Sequence, residues 1–209
     1  MIAQIVDWIR APIRWALLKG LLILSPRTAL NGLEIVDVAE EETEQTIGAL
    51  SEALQLIDMV DSRRYKRLER DLRRIILMRA GAPEFASEVG ACMLRSRYVR
   101  ENRSAVVATT LVHEATHARL WRSGIRYGPQ LRGRVEAVCV GEQIAFAERL
   151  GDTEILAYLR EKLQRPWWTR EQLHERRLAA WRDLGLPEWA IRCFEKATPG
   201  RTRAGRPRV

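Results

Sequence analysis

The sequence contains few of the residues that build disulfide scaffolds or cysteine-rich metal clusters, since only three of its 209 residues are cysteine and three are histidine. The cysteines, Cys92, Cys139 and Cys193, are odd in number and show no CxxC spacing. This pattern argues against a disulfide framework and against a zinc site made of cysteine alone. Free cysteines are typical of a reducing compartment, so we expect a cytoplasmic protein.

Long apolar runs are also missing. The first 24 residues are apolar-rich but carry four charges, at Asp7, Arg10, Arg14 and Lys19. No run therefore approaches the roughly 20 apolar residues that cross a membrane, and a secretory signal is not expected. The apolar positions recur at helical spacing, which predicts an N-terminal amphipathic helix within residues 1–30. Its apolar stripe would pack on the core or, alternatively, bring residues 1–24 into peripheral contact with a membrane.

The charge balance does not favour nucleic acid as a partner. The net charge is +8, but four positive charges lie in a tail without acids, at Arg201, Arg203, Arg206 and Arg208. Without them the chain carries about +4, and its basic residues alternate with acids, so no specific nucleic-acid binding is expected. Residues 197–209 contain proline, glycine and arginine with almost nothing to bury, which predicts a disordered basic tail.

The segment between these ends, residues 31–196, is expected to form an α+β domain that is mostly α-helical. Ser25-Pro26 and Asn31-Gly32 are interpreted as a connection that precedes a helix from Ala39 to about Met59. Two or three strands of a small sheet are predicted from short apolar runs, at Arg74–Arg79, Val89–Leu94 and Arg97–Val99. From Ser104 onward the pattern is helical.

The most informative motif is His113-Glu114-Ala115-Thr116-His117, an HExxH sequence inside the strongly helical segment Ala105–Trp121. Residues four apart share one face of a helix, so both imidazoles can reach one metal ion. Glu114 projects at a neighbouring angle, toward a water molecule that the metal would bind. The motif therefore predicts a catalytic metal site.

Two histidines need a third protein ligand to make such a site. His174 is the only other histidine, and the spacing after His117 does not place one in a longer histidine motif. A carboxylate is left, and Glu136 is favoured because it opens the next predicted helix. Glu142 is the rival, but six residues turn a helix by about 240°, so both acids cannot face the metal. Cys139 remains a further alternative.

The HExxH motif followed by Glu136 resembles the gluzincin class of zinc metallopeptidases, in which a glutamate on a following helix completes the site. The match covers about residues 89–147, roughly a quarter to a third of the chain. It implies a zincin-like domain with a small sheet, whose substrate-aligning edge strand would come from Val89–Val99. Arg119 and Val140 depart from the class pattern, so the resemblance supports the class and no subfamily.

The resemblance implies a hydrolase that cleaves peptide bonds of a peptide or protein substrate. A zinc ion held by His113, His117 and Glu136 would activate water, with Glu114 as general base. An oxyanion donor would come from one of four side chains, Tyr127, His174, Arg132 or Arg134. One alternative is a catalytically silent zincin-like module that binds a protein or a membrane surface. Another is a basic adaptor built on the first helix and the arginine tail.

Overall fold

The structure is a computed structural model that describes residues 20, 22–128, 130–164, 178–179, 181–182 and 185–197. The described residues form five strands: β1 (Arg27–Leu30), β2 (Leu33–Asp37), β3 (Arg74–Met78), β4 (Glu84–Ala86) and β5 (Ala91–Arg95). The helices are α1 (Thr43–Val60), α2 (Ser62–Asp71), α3 (Ser96–Glu101), α4 (Ser104–Arg122), α5 (Arg132–Leu150), α6 (Thr153–Gln164) and α7 (Glu188–Ala197). The predicted α+β class with a helical majority is confirmed.

The strands form one mixed sheet in the order β1-β2-β3-β5-β4. The three inner strands are parallel, and in their register Ile35 lies beside Ile75, which lies beside Cys92. Each outer strand runs antiparallel to its inner neighbour. The inner strands are apolar along most of their length because parallel strands are usually covered on both faces.

Alternate residues of the sheet face two different apolar layers. Ile75 and Leu77 point toward the main core, where they pack with apolar side chains of α1 and α4 and with Phe146 of α5. Burying these side chains supplies most of the free energy that holds the helices on the sheet. Helix α4 packs mainly against α5, and it also contacts α1, α2 and the strands β4 and β5. This arrangement places the HExxH motif in the interior.

The opposite face of the sheet carries a smaller cluster formed by Leu22, Val36, Ile76 and Ala91. Leu22 is helical and buried, whereas Ile23 and Leu24 beside it are exposed. Most of the predicted first helix, and residues 198–209 of the tail, lie outside the described residues, so both stay predictions. Within the part of the chain that is described, no helix combines the length and hydropathy needed to cross a membrane.

The connection predicted around Asn31-Gly32 is in fact the turn of a β-hairpin. Leu30 of β1 pairs with Leu33 of β2, which leaves Asn31 and Gly32 as a two-residue loop with φ of 48° and 82°. Positive φ at both positions matches the twist of the flanking strands, and asparagine and glycine tolerate it best. The sequence predicted a connection here but not the two strands that this turn joins.

The first helix after the hairpin begins at Thr43, four residues later than predicted. Asp37 at the end of β2 accepts hydrogen bonds from the Glu40 amide at 2.9 Å and from the Thr43 hydroxyl at 2.6 Å. Glu40 and Glu42 both have positive φ. The acid-rich segment is thus largely a loop tied to Asp37, because these contacts replace the first helical turn.

The segment predicted as a third strand, Arg97–Val99, is helical and lies in α3. Arg97 pairs with Glu101 one turn later at 2.6 Å, and Asn102 donates a hydrogen bond to the Tyr98 carbonyl. Only Val99 of the three residues is fully buried. Three residues are too few for an apolar pattern to separate helix from strand.

The edge of the sheet near α4 is also not the predicted one. The resemblance assigned the edge strand to Val89–Val99, but β5 lies between β3 and β4. The edge is β4, which pairs with β5 over three residues, from Glu84 beside Met93 to Ala86 beside Ala91. Both β4 and β5 contact α4, so the edge strand beside this helix is β4.

Candidate metal centre

Helix α4 brings the two motif histidines together on its inner side. The helix spans Ser104–Arg122, which confirms the predicted helical setting of HExxH. The Nε2 atoms of His113 and His117 lie 3.1 Å apart, and the His113 side chain is buried while that of His117 is largely buried. Both nitrogens point into the same space between α4 and α5.

Helix α5 places Glu136 against this pair. Its Oε2 lies 3.4 Å from Nε2 of His113, and its Oε1 lies 3.7 Å from Nε2 of His117. Zinc bonds of 2.0–2.1 Å in tetrahedral geometry separate two ligand atoms by about 3.3 Å. Oε2 is buried and accepts no hydrogen bond from the described residues. Each histidine nitrogen therefore has a different oxygen of Glu136 beside it, at a separation close to that of two zinc ligands.

Gln143, two helical turns after Glu136, orients His113. The His113 Nδ1 lies 2.9 Å from the Gln143 Oε1, while the Gln143 amide donates to the Thr109 carbonyl at 3.1 Å. Because that donation directs Oε1 toward the imidazole, Nδ1–H donates and Nε2 keeps its lone pair for a metal. Such a partner behind a histidine ligand is typical of metal sites. Sequence analysis missed Gln143; its only signal is the helical spacing from Glu136.

Tyr127 acts on Glu136 from the loop between α4 and α5. Its hydroxyl donates a 2.6 Å hydrogen bond to Oε1 of Glu136, and its ring contacts that of His117 edge-on, with 5.4 Å between centroids. The guanidinium of Arg132 lies over the Tyr127 ring. Sequence analysis offered Tyr127 as an oxyanion donor, but its hydroxyl here holds a candidate ligand.

The protonation states also suit a cation. Burial lowers the pKa of His117 to about 4, helped by His113, so this imidazole is neutral at pH 7. Burial pushes the pKa of Glu136 upward, but its interactions with His113 and Tyr127 outweigh that effect and leave the pKa below its usual value. At neutral pH the site therefore presents a neutral imidazole and a carboxylate.

Glu114 occupies a different position from the three candidate ligands. Its side chain is buried, and burial raises its pKa to about 7, with Glu136 and Glu84 adding to the rise against His113. Glu114 and His113 line a cleft of about 650 Å³, together with residues of α3, α4 and α6 such as Tyr98, Val106 and Ile155. A carboxyl group whose pKa is near neutrality, in a cleft, is suited to exchanging protons.

Cys139 lies close to the histidine pair. It is fully buried on α5, and its Sγ and one nitrogen from each of His113 and His117 all lie within 4.8 Å of one another. Burial raises the pKa of the Cys139 thiol, with Glu136 contributing, so without a metal the group is a neutral thiol.

Glu142 lies away from the histidine pair. Glu142 forms ion pairs with Arg64 at 3.0 Å and Arg119 at 2.9 Å, on the side of α5 that faces α2. Arg134 is exposed. His174 lies outside the described residues, so its proposed role stays a prediction.

Comparison of the chain with protein-family models, with curated proteins and with solved structures finds no match in any of the three. Any functional assignment thus depends on the residues of the site itself.

Proposed function

We propose that this protein is a zinc-dependent peptidase of the gluzincin type. The observation that supports the proposal most is the convergence of His113, His117 and Glu136: the two Nε2 atoms lie 3.1 Å apart, and each has one Glu136 oxygen within 3.4 or 3.7 Å. The acid that follows the first histidine, Glu114, lines a cleft beside them. This combination of ligands, base and cleft is what amide hydrolysis at a zinc ion needs.

The candidate ligands are held in place before any metal arrives. Gln143 fixes the His113 ring, and Tyr127 fixes one oxygen of Glu136. When bound, a zinc ion supplies Lewis-acid polarisation of a carbonyl and a lower pKa for water. Glu136 would neutralise part of the charge of the cation, and its Oε2, which accepts no hydrogen bond from the described residues, supports this role.

Glu114 performs the proton transfers in this proposal. Its carboxylate takes a proton from the attacking water, and the resulting acid delivers that proton to the nitrogen of the leaving amine. Burial of Glu114 raises its pKa above the ordinary value, which makes its carboxylate a better proton acceptor. The cleft beside Glu114 would hold the substrate, and its partly apolar lining favours a peptide with apolar side chains.

Metal content of the purified full-length chain is the first test. We expect about one zinc per chain after reconstitution and dialysis against a weak chelator, loss of zinc in His113→Ala, and reduced retention in Glu136→Ala. Glu142→Gln is the matched control, because it changes an acid on the same helix outside the site, and it should retain zinc.

Activity is the second test. The zinc-loaded wild type should cleave members of a mixed peptide library, detected by mass spectrometry, and Glu114→Gln should not. Absence of zinc from the wild type would contradict the proposal. Stoichiometric zinc without any cleavage would favour the alternative function, a catalytically silent module that binds a partner.

A further inference from the structure

The mechanism above leaves one buried nucleophilic side chain at the site unused, that of Cys139. It lies three residues after Glu136 on α5, which is one helical turn, so the two side chains share a face of the helix. Its exposed fraction is 0%. The thiol therefore faces the interior where the histidine pair lies.

Cys139 differs from the other buried cysteine in its surroundings. Cys92 packs in the main core among apolar side chains of the sheet and helices. Cys139 belongs to none of the three apolar clusters formed by the described residues. Instead its Sγ groups with nitrogens of His113 and His117. A cysteine used only as a small apolar residue would resemble Cys92.

The Cys139 sulfur lies close to a position from which it could bind a metal ion together with the two histidines. Zinc bonds of about 2.3 Å to sulfur and 2.0–2.1 Å to nitrogen place the two atoms about 3.5 Å apart in a tetrahedron. The three atoms here lie within 4.8 Å of one another. A shift of the sulfur by roughly 1 Å, within the reach of a χ1 adjustment, closes the difference. Thiolate is also a stronger ligand for zinc than water.

We infer that Cys139 is a fourth protein ligand of the metal, in addition to His113, His117 and Glu136. This inference rests on the proposed metal site. On ligation the thiol loses its proton to solvent, and the four side chains close the coordination shell. Exchange of the sulfur for water returns a proton to the thiol and opens the position that hydrolysis needs. Cys139 would thus hold the peptidase in a latent state.

Cobalt absorption spectroscopy tests this inference independently of activity. The full-length chain is loaded with one equivalent of Co²⁺, and the near-ultraviolet charge-transfer band of a thiolate bound to cobalt is recorded. We expect the band in the wild type, its loss in Cys139→Ser and Cys139→Ala, and its retention in Cys193→Ser. Cys193 is a suitable control because it is free and exposed.

The outcomes separate this inference from the proposed function. Cobalt bound by the wild type without a thiolate band would overturn the role of Cys139 and leave the metal site intact. Failure of the wild type to bind cobalt would overturn both. A band that persists in both Cys139 variants would also overturn the inference. Far-ultraviolet circular dichroism of each variant confirms folding, and a several-fold faster peptide cleavage by zinc-loaded Cys139→Ser would support latency.

Discussion

Two of the glutamates of helix α5, Glu136 and Glu142, lie six residues apart in opposite environments. Glu142 is flanked by the guanidinium groups of Arg64 and Arg119, so its charge is balanced by the protein itself. Glu136 is buried beside two histidines, and its Oε2 accepts no hydrogen bond from the described residues. A buried charge is costly unless it is paired, so the cation of the proposed metal site would balance the charge of Glu136. The groups around each glutamate therefore distinguish an acid held in ion pairs, Glu142, from a candidate metal ligand, Glu136.

The largest effect on activity is expected from a variant that removes the general base and keeps the metal ligands. Glu114→Gln should lower peptide cleavage by about 10²- to 10⁴-fold, because a positioned general base contributes that much. Zinc content should stay at the wild-type value, since Glu114 is not a ligand. Steady-state cleavage and elemental analysis on the same preparation measure both. Equal losses of zinc and activity would show that Glu114 acts on the metal site rather than on the proton.

The orientation of His113 provides the next test. Gln143→Leu removes the acceptor of the Nδ1–H bond while keeping a side chain of similar size. Loss of such a partner weakens metal binding by about 10- to 100-fold, so chelator competition should show a higher Kd for zinc. Gln55→Leu, at an exposed position of α1, is the control and should leave the Kd unchanged. An unchanged Kd in Gln143→Leu would refute the orienting role.

The metal-free protein should reveal the burial of Glu114 through the pH dependence of its stability. Folding raises the pKa of this acid to about 7, so the folded state holds the proton more tightly than the unfolded state. The free energy of unfolding therefore falls as pH rises from the pKa of the unfolded state, near 4.5, through the pKa of the folded state, about 7. Glu114→Gln should gain on the order of 2 kcal/mol over the wild type between pH 5 and pH 8. Urea unfolding in chelator measures the gap; a constant gap would contradict the assigned cause.

The smallest effect is expected on the other side of α5. Arg119→Ala removes a cation from Glu142, but both side chains are partly exposed and Arg64 remains. Partly exposed ion pairs contribute less than about 1 kcal/mol, so the unfolding free energy should fall by that amount or less. Zinc affinity should not change. A weakened zinc site in this variant would mean that the two sides of α5 are coupled.

The sequence predicted the helices of the site better than the sheet. Helix α4 was predictable because its motif lies in a long periodic segment, and Glu136 because few residues could complete the ligand set. Gln143 was not predictable, since a glutamine on a helix has no distinctive pattern. Strand β4 has three residues, too few for a period of two to be visible. The Asn31-Gly32 dipeptide is itself typical of a hairpin turn, but it was interpreted only as part of a connection.

The two helices that hold the site are consecutive in the chain. Every candidate ligand and its support, from Thr109 to Gln143, lies on α4, α5 or the loop between them. The inner strands β2 and β3, by contrast, pair residues 40 positions apart, such as Val36 with Ile76. Contacts between residues near each other in the sequence form earlier than contacts between distant residues, because closing the shorter loop costs less entropy. During folding, the site is therefore expected to assemble before β2 pairs with β3.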